Sequence, residues 1–339
     1  MNNAEPSKRA NLRDVAKAAG VSVATVSRVM NTPKQVAETT RERVQQVIED
    51  LRFRPSAAAR AINSGRTRIV GALTPTMDNA IFARFLDGLE GKLAAADLSL
   101  VVSATDDDPI VELRKAKELL NIGAEGLVVS GVTHSPEFLS LIERERLPIV
   151  AISYAQPGFT FPTVGYDNAE AVTMALSHLF DLGHRDIAII HGLTLNNDRT
   201  RARLEAIAET ALPVRLSYFE EPIDVEGGCR AVQRVRQSHP ECTGYLCFSD
   251  VLAMGALFEA QRQGLSIPRD VSIMGMEGLP LTEHLSPSLT TIDLSVYEMG
   301  VGTAEALARW VNEGVRPADH RLPARLIKRG STDRARVQP

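Results

Sequence analysis

From Asn11 onward, apolar positions recur at helical spacing: Val15, Ala16 and Ala19 on one stripe, then Val26 and Val29 on a second, with Gly20 between them. Each boundary has its own cause. Asn11, with Asp14 three residues on, can cap the first helix, Gly20 can take the left-handed conformation that ends it, and Ser22 can cap the next. A third periodic segment, 41–51, carries Val44, Val47, Ile48 and Leu51, the apolar face needed to close a three-helix core. Helices this short stabilise one another where none would persist alone. Beyond a polar stretch at 63–68 the pattern changes. Short apolar runs at 69–73, 98–102, 126–129 and 149–152 alternate with helical stretches at 80–96, 109–121 and 136–146. The alternation resumes with runs at 186–190, 214–219, 245–248 and 271–274 and a helix at 251–263. Repeated β-α units with near-continuous apolar strands predict parallel sheets covered by helices on both faces. Two sets of units predict two lobes, with ligand binding between them at the strand C-terminal ends.

Charge sharpens this division. Up to Arg68 there are 13 Lys+Arg against 6 Asp+Glu, a net of +7, while the remainder carries 25 against 36, a net of −11. A small basic module precedes a large acidic one, and a basic module of this size is an electrostatic footprint for nucleic acid. If its second helix enters a major groove, the exposed side chains at its start are Val23, Ala24 and, one turn on, Arg28. Arginine can bond a guanine edge bidentately, and a small apolar residue can meet a thymine methyl. The hydroxyls of Ser22, Thr25 and Ser27 suit phosphates. The plain alternative is a capped helical hairpin with no role on DNA. Residues 55–62 are Ala-rich and helix-prone but too short to be stable alone, which predicts disorder off DNA and a helix on it, or else a simple linker helix.

Composition excludes several classes. The 339 residues are 44% hydrophobic and 24% charged, the balance of a soluble globular chain. No run approaches a membrane span, and residues 1–10 lack the apolar stretch of a signal peptide, so a cytoplasmic protein is expected. Cys229, Cys242 and Cys247 form no CxxC pair and are expected to be reduced core thiols. No GxxxxGK[ST] loop, GxSxG elbow or HExxH helix is present, and His184-Arg185-Asp186 lacks the downstream Asn of a kinase catalytic loop. Gly183 is expected to end a helix and Asp186 to open a strand, leaving His184 structural. Asp106-Asp107-Asp108 invites a metal reading, but Asp108 before Pro109 is an N-cap with Pro at the first helical position. No enzyme, cofactor or metal is expected.

The stretch Leu12 to Asn31, then Thr40-Arg41-Glu42-Arg43-Val44, then Arg54-Pro55-Ser56-Ala57-Ala58-Ala59-Arg60-Ala61-Ile62, closely resembles the headpiece of the lactose-repressor/galactose-repressor (LacI/GalR) family, and the resemblance continues through the chain. It implies an all-α helix-turn-helix headpiece at 11–54 after a disordered tail at 1–10, and a hinge helix and linker at 55–68. An α/β periplasmic-binding-protein-like core of two doubly wound parallel-sheet lobes, joined by three crossovers, is implied at 69–339. The resemblance places Asn31, Ser56, Ala59 and Arg60 with the DNA contacts, and Ile62 at the position of an apolar wedge in the minor groove, where relatives more often have Leu. Ala37 stands where the family commonly has a Ser or Thr cap. The Val23-Ala24 pair looks like that of galactose repressors, whereas residues 32–36, 133–136 and 164–168 look like gluconate-type repressors.

The same resemblance implies an effector cleft. In Thr74 to Phe82, Asn79 and Phe82 match cleft-lining positions, with simple core as the lesser alternative for Phe82. Ser153 and Tyr154 follow the fourth strand where relatives place a ligand contact; a surface Tyr is the alternative. Arg203 aligns with the effector-binding arginine, although Ala206-Ile207 replaces the Gly-aromatic pair of that motif and three nearby arginines could merely solvate a helix face. Ser249 and Asp250 stand where relatives have Asn-Asp, and Glu277 replaces an Asp of the Gly-aromatic-Asp-Asp motif. The expected protein is a homodimeric transcriptional repressor, located at the nucleoid when on palindromic double-stranded operator DNA and released by a sugar or a sugar acid such as gluconate. No heptad tail for tetramerisation follows residues 326–328. A co-repressed regulator, for example by a purine, shares every one of these motifs; a solute-binding protein shares only the core.

Overall fold

The computed structural model describes residues 10–53, 61 and 64–336, with the Asn31 side chain outside that description. Ser56, Ala59, Arg60 and Ile62, named above as DNA contacts, lie outside the described residues. The chain divides into two compact units, 1–67 and 68–339.

The first unit is all-helical: α1 (Leu12–Ala19), α2 (Val23–Asn31) and α3 (Glu38–Asp50). Asn11 and Asp14 form a reciprocal capping box, satisfying amides at both ends of the first turn of α1. Gly20 closes α1 at φ 63° and ψ 36°, a conformation that disfavours any side chain with a Cβ. Ser22 Oγ accepts from the Thr25 amide and so caps α2. Val15, Ala16, Ala19, Val26, Val29, Val44 and Phe53 make the small core, with Val47 and Ile48 partly buried against it. Leu51, expected in that core, is instead 38% exposed. The cause is local: α3 ends at Asp50, Arg52 turns with φ 47°, and the Phe53 amide returns to the Ile48 carbonyl, folding Phe53 inward in place of Leu51.

The second unit consists of two α/β lobes. Lobe 1 contains β1 (Ile69–Thr74), α4 (Ala80–Ala95), β2 (Ser99–Ala104), α5 (Pro109–Asn121), β3 (Ala124–Ser130), α6 (Pro136–Glu145), β4 (Ile149–Ile152) and β5 (Thr163–Tyr166). Lobe 2 contains α7 (Asn168–Asp181), β6 (Asp186–His191), α8 (Asp198–Ala208), β7 (Arg215–Glu220), α9 (Val225–Ser238), β8 (Gly244–Cys247), α10 (Asp250–Arg262), β9 (Ser272–Glu277) and β10 (Thr290–Asp293). The chain then returns to lobe 1 with α11 (Val296–Glu313) and β11 (His320–Leu322), and ends in lobe 2 with β12 (Arg325–Ile327). The strand orders are β11-β5-β4-β3-β1-β2 and β12-β10-β9-β8-β6-β7. All neighbours pair in parallel except β10 and β12. The chain crosses between lobes three times, after β5, after β10 and after β11.

This is the doubly wound, two-lobed architecture that the alternating pattern predicts. The three- and four-residue strands β5, β10 and β11 carry no readable period and exist because a neighbouring strand supplies their hydrogen bonds. The return to lobe 1 is tightly packed. A Cβ on Gly300 of α11 would lie 2.2 Å from the Phe85 carbonyl oxygen of α4, and one on Gly88 would lie 2.4 Å from the Tyr297 carbonyl oxygen, so the two helices meet backbone to backbone.

Ala37 occupies the N-cap of α3 and makes no side-chain cap bond. Replacing Ala37 with Ser should stabilise α3 by about 1 kcal/mol. Amide exchange in α3 of the full chain should then slow by about five-fold; unchanged exchange would show that the first turn of α3 gains nothing from a cap.

Candidate functional site

Between the lobes lies a cavity of about 520 Å³, at the C-terminal ends of the strands. Of the effector positions expected from sequence, Asn79, Phe82, Ser153, Arg203 and Glu277 line it. Asn79 also caps α4, its Oδ1 accepting from the Ile81 amide, so it is placed at the cavity edge by the strand-to-helix turn itself. Asp106, Asp107, Ser153 and Glu277 hold positive φ at 55°, 52°, 65° and 148°, which side-chain-bearing residues rarely adopt. Strained backbone gathered around one cavity is characteristic of a functional site.

The charged centre is built around Arg203 on α8, whose side chain is buried. Its Nε donates to Asn168 Oδ1 at 2.9 Å and its Nη1 to the Phe248 carbonyl at 2.9 Å. Asn168 in turn donates through Nδ2 to the Ser153 carbonyl at 3.1 Å, so one amide side chain at the first crossover ties lobe 1 to the lobe 2 arginine. Burial holds the Arg203 guanidinium below its ordinary pKa, opposed by neighbouring Tyr166 and Glu277. Glu277, ending β9, is buried and shifted well upward, first by burial and then by the nearby Asp250 carboxylate. Ser249 Oγ donates to Glu277 Oε2 at 3.0 Å, and the Asp250 amide donates to the same oxygen at 3.2 Å.

Three expected positions stand elsewhere. Tyr154 does not line the cavity; after the left-handed turn at Ser153 its neighbour Ala155 pairs with the Tyr166 carbonyl, and it is Tyr166, buried in β5, that faces the cavity. Ser249 and Asp250 are fully buried behind Glu277. Ser249 caps α10 through the Val251 amide. Asp250 accepts from the Leu279 amide at 2.7 Å and the Thr291 hydroxyl at 2.6 Å, so both brace Glu277 from behind.

Sequence reasoning missed the other half of the lining. Arg199, Thr200 and Asn197 enter from the start of α8, while Asp107 enters from lobe 1. Arg199 Nη2 donates to Asp107 Oδ1 at 3.3 Å and Nη1 to Asp198 Oδ1 at 3.0 Å. Asp198 Oδ2 accepts from the Val132 and Thr133 amides at 2.6 and 3.0 Å, so lobe 2 grips lobe 1 beside the cavity. The three arginines of 199–203 therefore have separate tasks: Arg199 pairs across the lobes, Arg201 bonds the Thr194 carbonyl, and Arg203 forms the buried centre. Their clustering was the one available signal. Leu193 and Leu195 add apolar lining at 54% and 80% exposure.

Other chemistry-bearing residues are engaged in structure. Asp108 caps α5, with Pro109 at its first position. His184 bridges Thr243 Oγ1 at 2.9 Å and the Asp333 carbonyl at 3.1 Å. Cys242 and Cys247 are buried free thiols, and Cys229 is a half-buried one. Among the described residues, no group of three or more His, Cys, Asp or Glu is arranged to hold a metal, and no helix is long and apolar enough to cross a membrane.

In the first unit, Ser22, Val23, Ala24 and Arg28 are exposed along α2, with Thr25 and Ser27 partly so. The Ser22 and Thr25 hydroxyls are 2.9 Å apart and pair with each other. Residues 11–56 match the bacterial regulatory proteins of the lacI family, and residues 176–332 match a periplasmic binding protein-like domain. Over 94% of this chain and 98% of the relative, the sequence is 30% identical to catabolite control protein A of Priestia megaterium. The chain belongs to the LacI family of transcriptional regulators. It is also 30% identical to the HTH-type transcriptional regulator GntR of Escherichia coli (strain K12), over 91% of this chain and 95% of that one. Its fold matches the lac repressor dimer bound to operator and the anti-inducer ONPF, with a TM-score of 0.86 over 96% of this chain and 100% of that chain, at 22% identity. As LacI-family regulators, these relatives carry a DNA-binding domain followed by a ligand-binding domain, the two-unit order observed here.

Burial favours the protonated form of Glu277, so the folded chain binds a proton there that the unfolded chain releases at an ordinary carboxylate pKa of about 4.3. The stability due to this group is present at low pH and is lost as pH rises from the ordinary value through the raised one. Glu277→Gln should therefore remove a pH dependence: the melting temperature of the wild-type protein should fall relative to the variant between about pH 5 and about pH 8. Parallel curves would mean that Glu277 is ionised throughout.

Proposed function

We propose that this LacI-family protein is a ligand-responsive repressor that binds a palindromic operator as a homodimer, and that a carbohydrate-type ligand in the inter-lobe cavity releases it. The observation that carries the reading is the pairing of an exposed α2 face, bearing Val23, Ala24 and Arg28, with a separate cavity of about 520 Å³ whose polar centre is assembled from both lobes. A cavity of that size suits a small metabolite. Asn79, Ser153, Thr200 and Glu277 offer the mixture of donors and acceptors that hydroxyl groups need. A neutral polyhydroxylated ligand is favoured over a sugar acid such as gluconate because the side-on fork of Arg203 is already occupied at Nε by Asn168. Ligand acts by population shift: it must bind one arrangement of the lobes more tightly than the other, and the groups that join the lobes beside it, Asn168, Asp198 and Arg199, are those whose contacts a change of arrangement would have to break.

Two experiments test the reading. Selection from random double-stranded DNA should yield an inverted repeat, and Arg28→Ala should cost about 1–3 kcal/mol on that site but far less on random DNA. Equal losses on both would make Arg28 a phosphate contact. In thermal unfolding against sugars, sugar acids, sugar phosphates and purines, a bound ligand at about 100 times its Kd should add about 2.7 kcal/mol and raise the midpoint by several degrees. Arg203→Ala should abolish that rise. A response to gluconate alone would restore the sugar-acid reading, and a ligand that tightens operator binding would make the protein a co-repressed regulator.

A further inference from the structure

A second cavity, of about 140 Å³, adjoins the first, and the Asp107–Arg199 ion pair borders both. It lies in lobe 1 at the ends of β1 and β3, reached by Leu73 and Ser130, and against the starts of α5 and α6 at Asp108 and Ser135, with Asp198 entering from lobe 2. Space for one water needs roughly 10–15 Å³ on this measure, so the chamber has room for a chain of several atoms.

Two of its lining groups are unsatisfied. His134 has a side chain with no exposed surface, and its Nε2 has no hydrogen-bond partner. Ser130 Oγ is likewise buried and unpartnered. The rest of the histidine is firmly held. Its ring stacks on Phe138 with centroids 5.0 Å apart, and Nδ1 lies 3.0 Å from both oxygens of Glu112. A carboxylate accepts and does not donate, so Nδ1 carries a proton toward Glu112, and Nε2 is left without a partner on a residue that lines the chamber. Buried polar groups without partners are uncommon in folded proteins, and two bordering one cavity mark a place where a ligand supplies the missing bonds.

We propose that this chamber is an inner subsite that takes a neutral, hydroxyl-bearing arm of a ligand, one hydroxyl, which can both donate and accept, bonding His134 Nε2 and Ser130 Oγ. The proposal rests on the reading of the main cavity as a carbohydrate-type site only for where the rest of the ligand lies. An anionic arm is excluded by the surrounding carboxylates of Asp107, Asp108, Glu112 and Asp198. A cationic arm is not called for, because those carboxylates already have partners: Asp108 the Ile110 and Val111 amides, Glu112 the imidazole, Asp198 the Val132 and Thr133 amides, and Asp107 the Arg199 guanidinium. A hydroxyl meets both unsatisfied atoms without adding charge. The ligand class that follows is an extended polyol, long enough to pass the Asp107–Arg199 pair from the outer cavity.

The test uses the full-length protein with 15N-labelled histidine, the His134 Nε2 resonance being identified by its loss in His134→Gln. Xylitol is titrated, with gluconate and 1-amino-1-deoxysorbitol in parallel, and the melting temperature is recorded on the same samples. A saturable Nε2 shift with xylitol, weakened by about ten-fold or more in apparent affinity by the small change Ser130→Ala, is the expected result. It supports the subsite even if it persists, with its rise in melting temperature, in Arg203→Ala, which would count instead against the outer cavity as a carbohydrate site. A rise in melting temperature with no change at His134 overturns the subsite and leaves that reading standing. Response to the amino polyol or gluconate alone overturns the neutral class, no response to any probe overturns the subsite, and a xylitol shift unchanged in Ser130→Ala overturns the assigned hydroxyl contact.

Discussion

A guanidinium taken out of water must be given acceptors, and the centre of the two-lobed unit is arranged around that need at Arg203. The cost of burying a charge without partners is several kcal/mol. Here Asn168 and the Phe248 carbonyl meet it, with Tyr166 and Glu277 alongside. Asn168 performs this task only because its amide nitrogen is anchored on the Ser153 carbonyl, across the first crossover. The buried charge thus depends on the relation of one lobe to the other.

The acidic side of the cavity follows the same economy. Glu277 is backed by Ser249 and the Asp250 amide, and Asp250 is fastened by Leu279 and Thr291. Burial raises the proton affinity of both carboxyl groups, and the Asp250 carboxylate raises that of Glu277 further, against the opposing pull of Arg203 on Glu277. A second grip, from Asp198 and Arg199 to the amides after β3 and to Asp107, lies where the outer and inner cavities meet. The polar contacts that join the lobes are therefore the same groups that border the two cavities.

The first unit works on a smaller scale. Its core is a handful of valines and alanines with Phe53, and helices of eight, nine and thirteen residues depend on end effects as much as on packing. Asn11, Gly20 and Ser22 set the turn between α1 and α2 that leaves Val23, Ala24 and Arg28 at the exposed start of α2. Ala37 leaves the start of α3 without a side-chain cap.

Local chemistry was legible in the residues themselves: the caps at Asn11, Ser22 and Asp108, the stop at Gly20, the alternating β-α units and the basic-to-acidic change near Arg68 all follow from short-range periodicity, side-chain hydrogen bonding and charge. A crevice at the strand C-terminal ends was legible too, because parallel sheets place those ends toward one side, whereas Asn79, Ser153, Arg203 and Glu277, which meet there, were singled out by the family resemblance. What only the tertiary structure decided is which neighbours those residues keep. Tyr166 rather than Tyr154 faces the cavity, Ser249 and Asp250 stand behind Glu277, and Asp107 reaches Arg199 across 92 positions of chain. Strands as short as β5 and β11, and the two unsatisfied atoms of the inner chamber, arise from contacts distant in sequence. A period of two or 3.6 residues specifies which face a side chain occupies on its own element; it carries nothing about the element that comes to lie against that face.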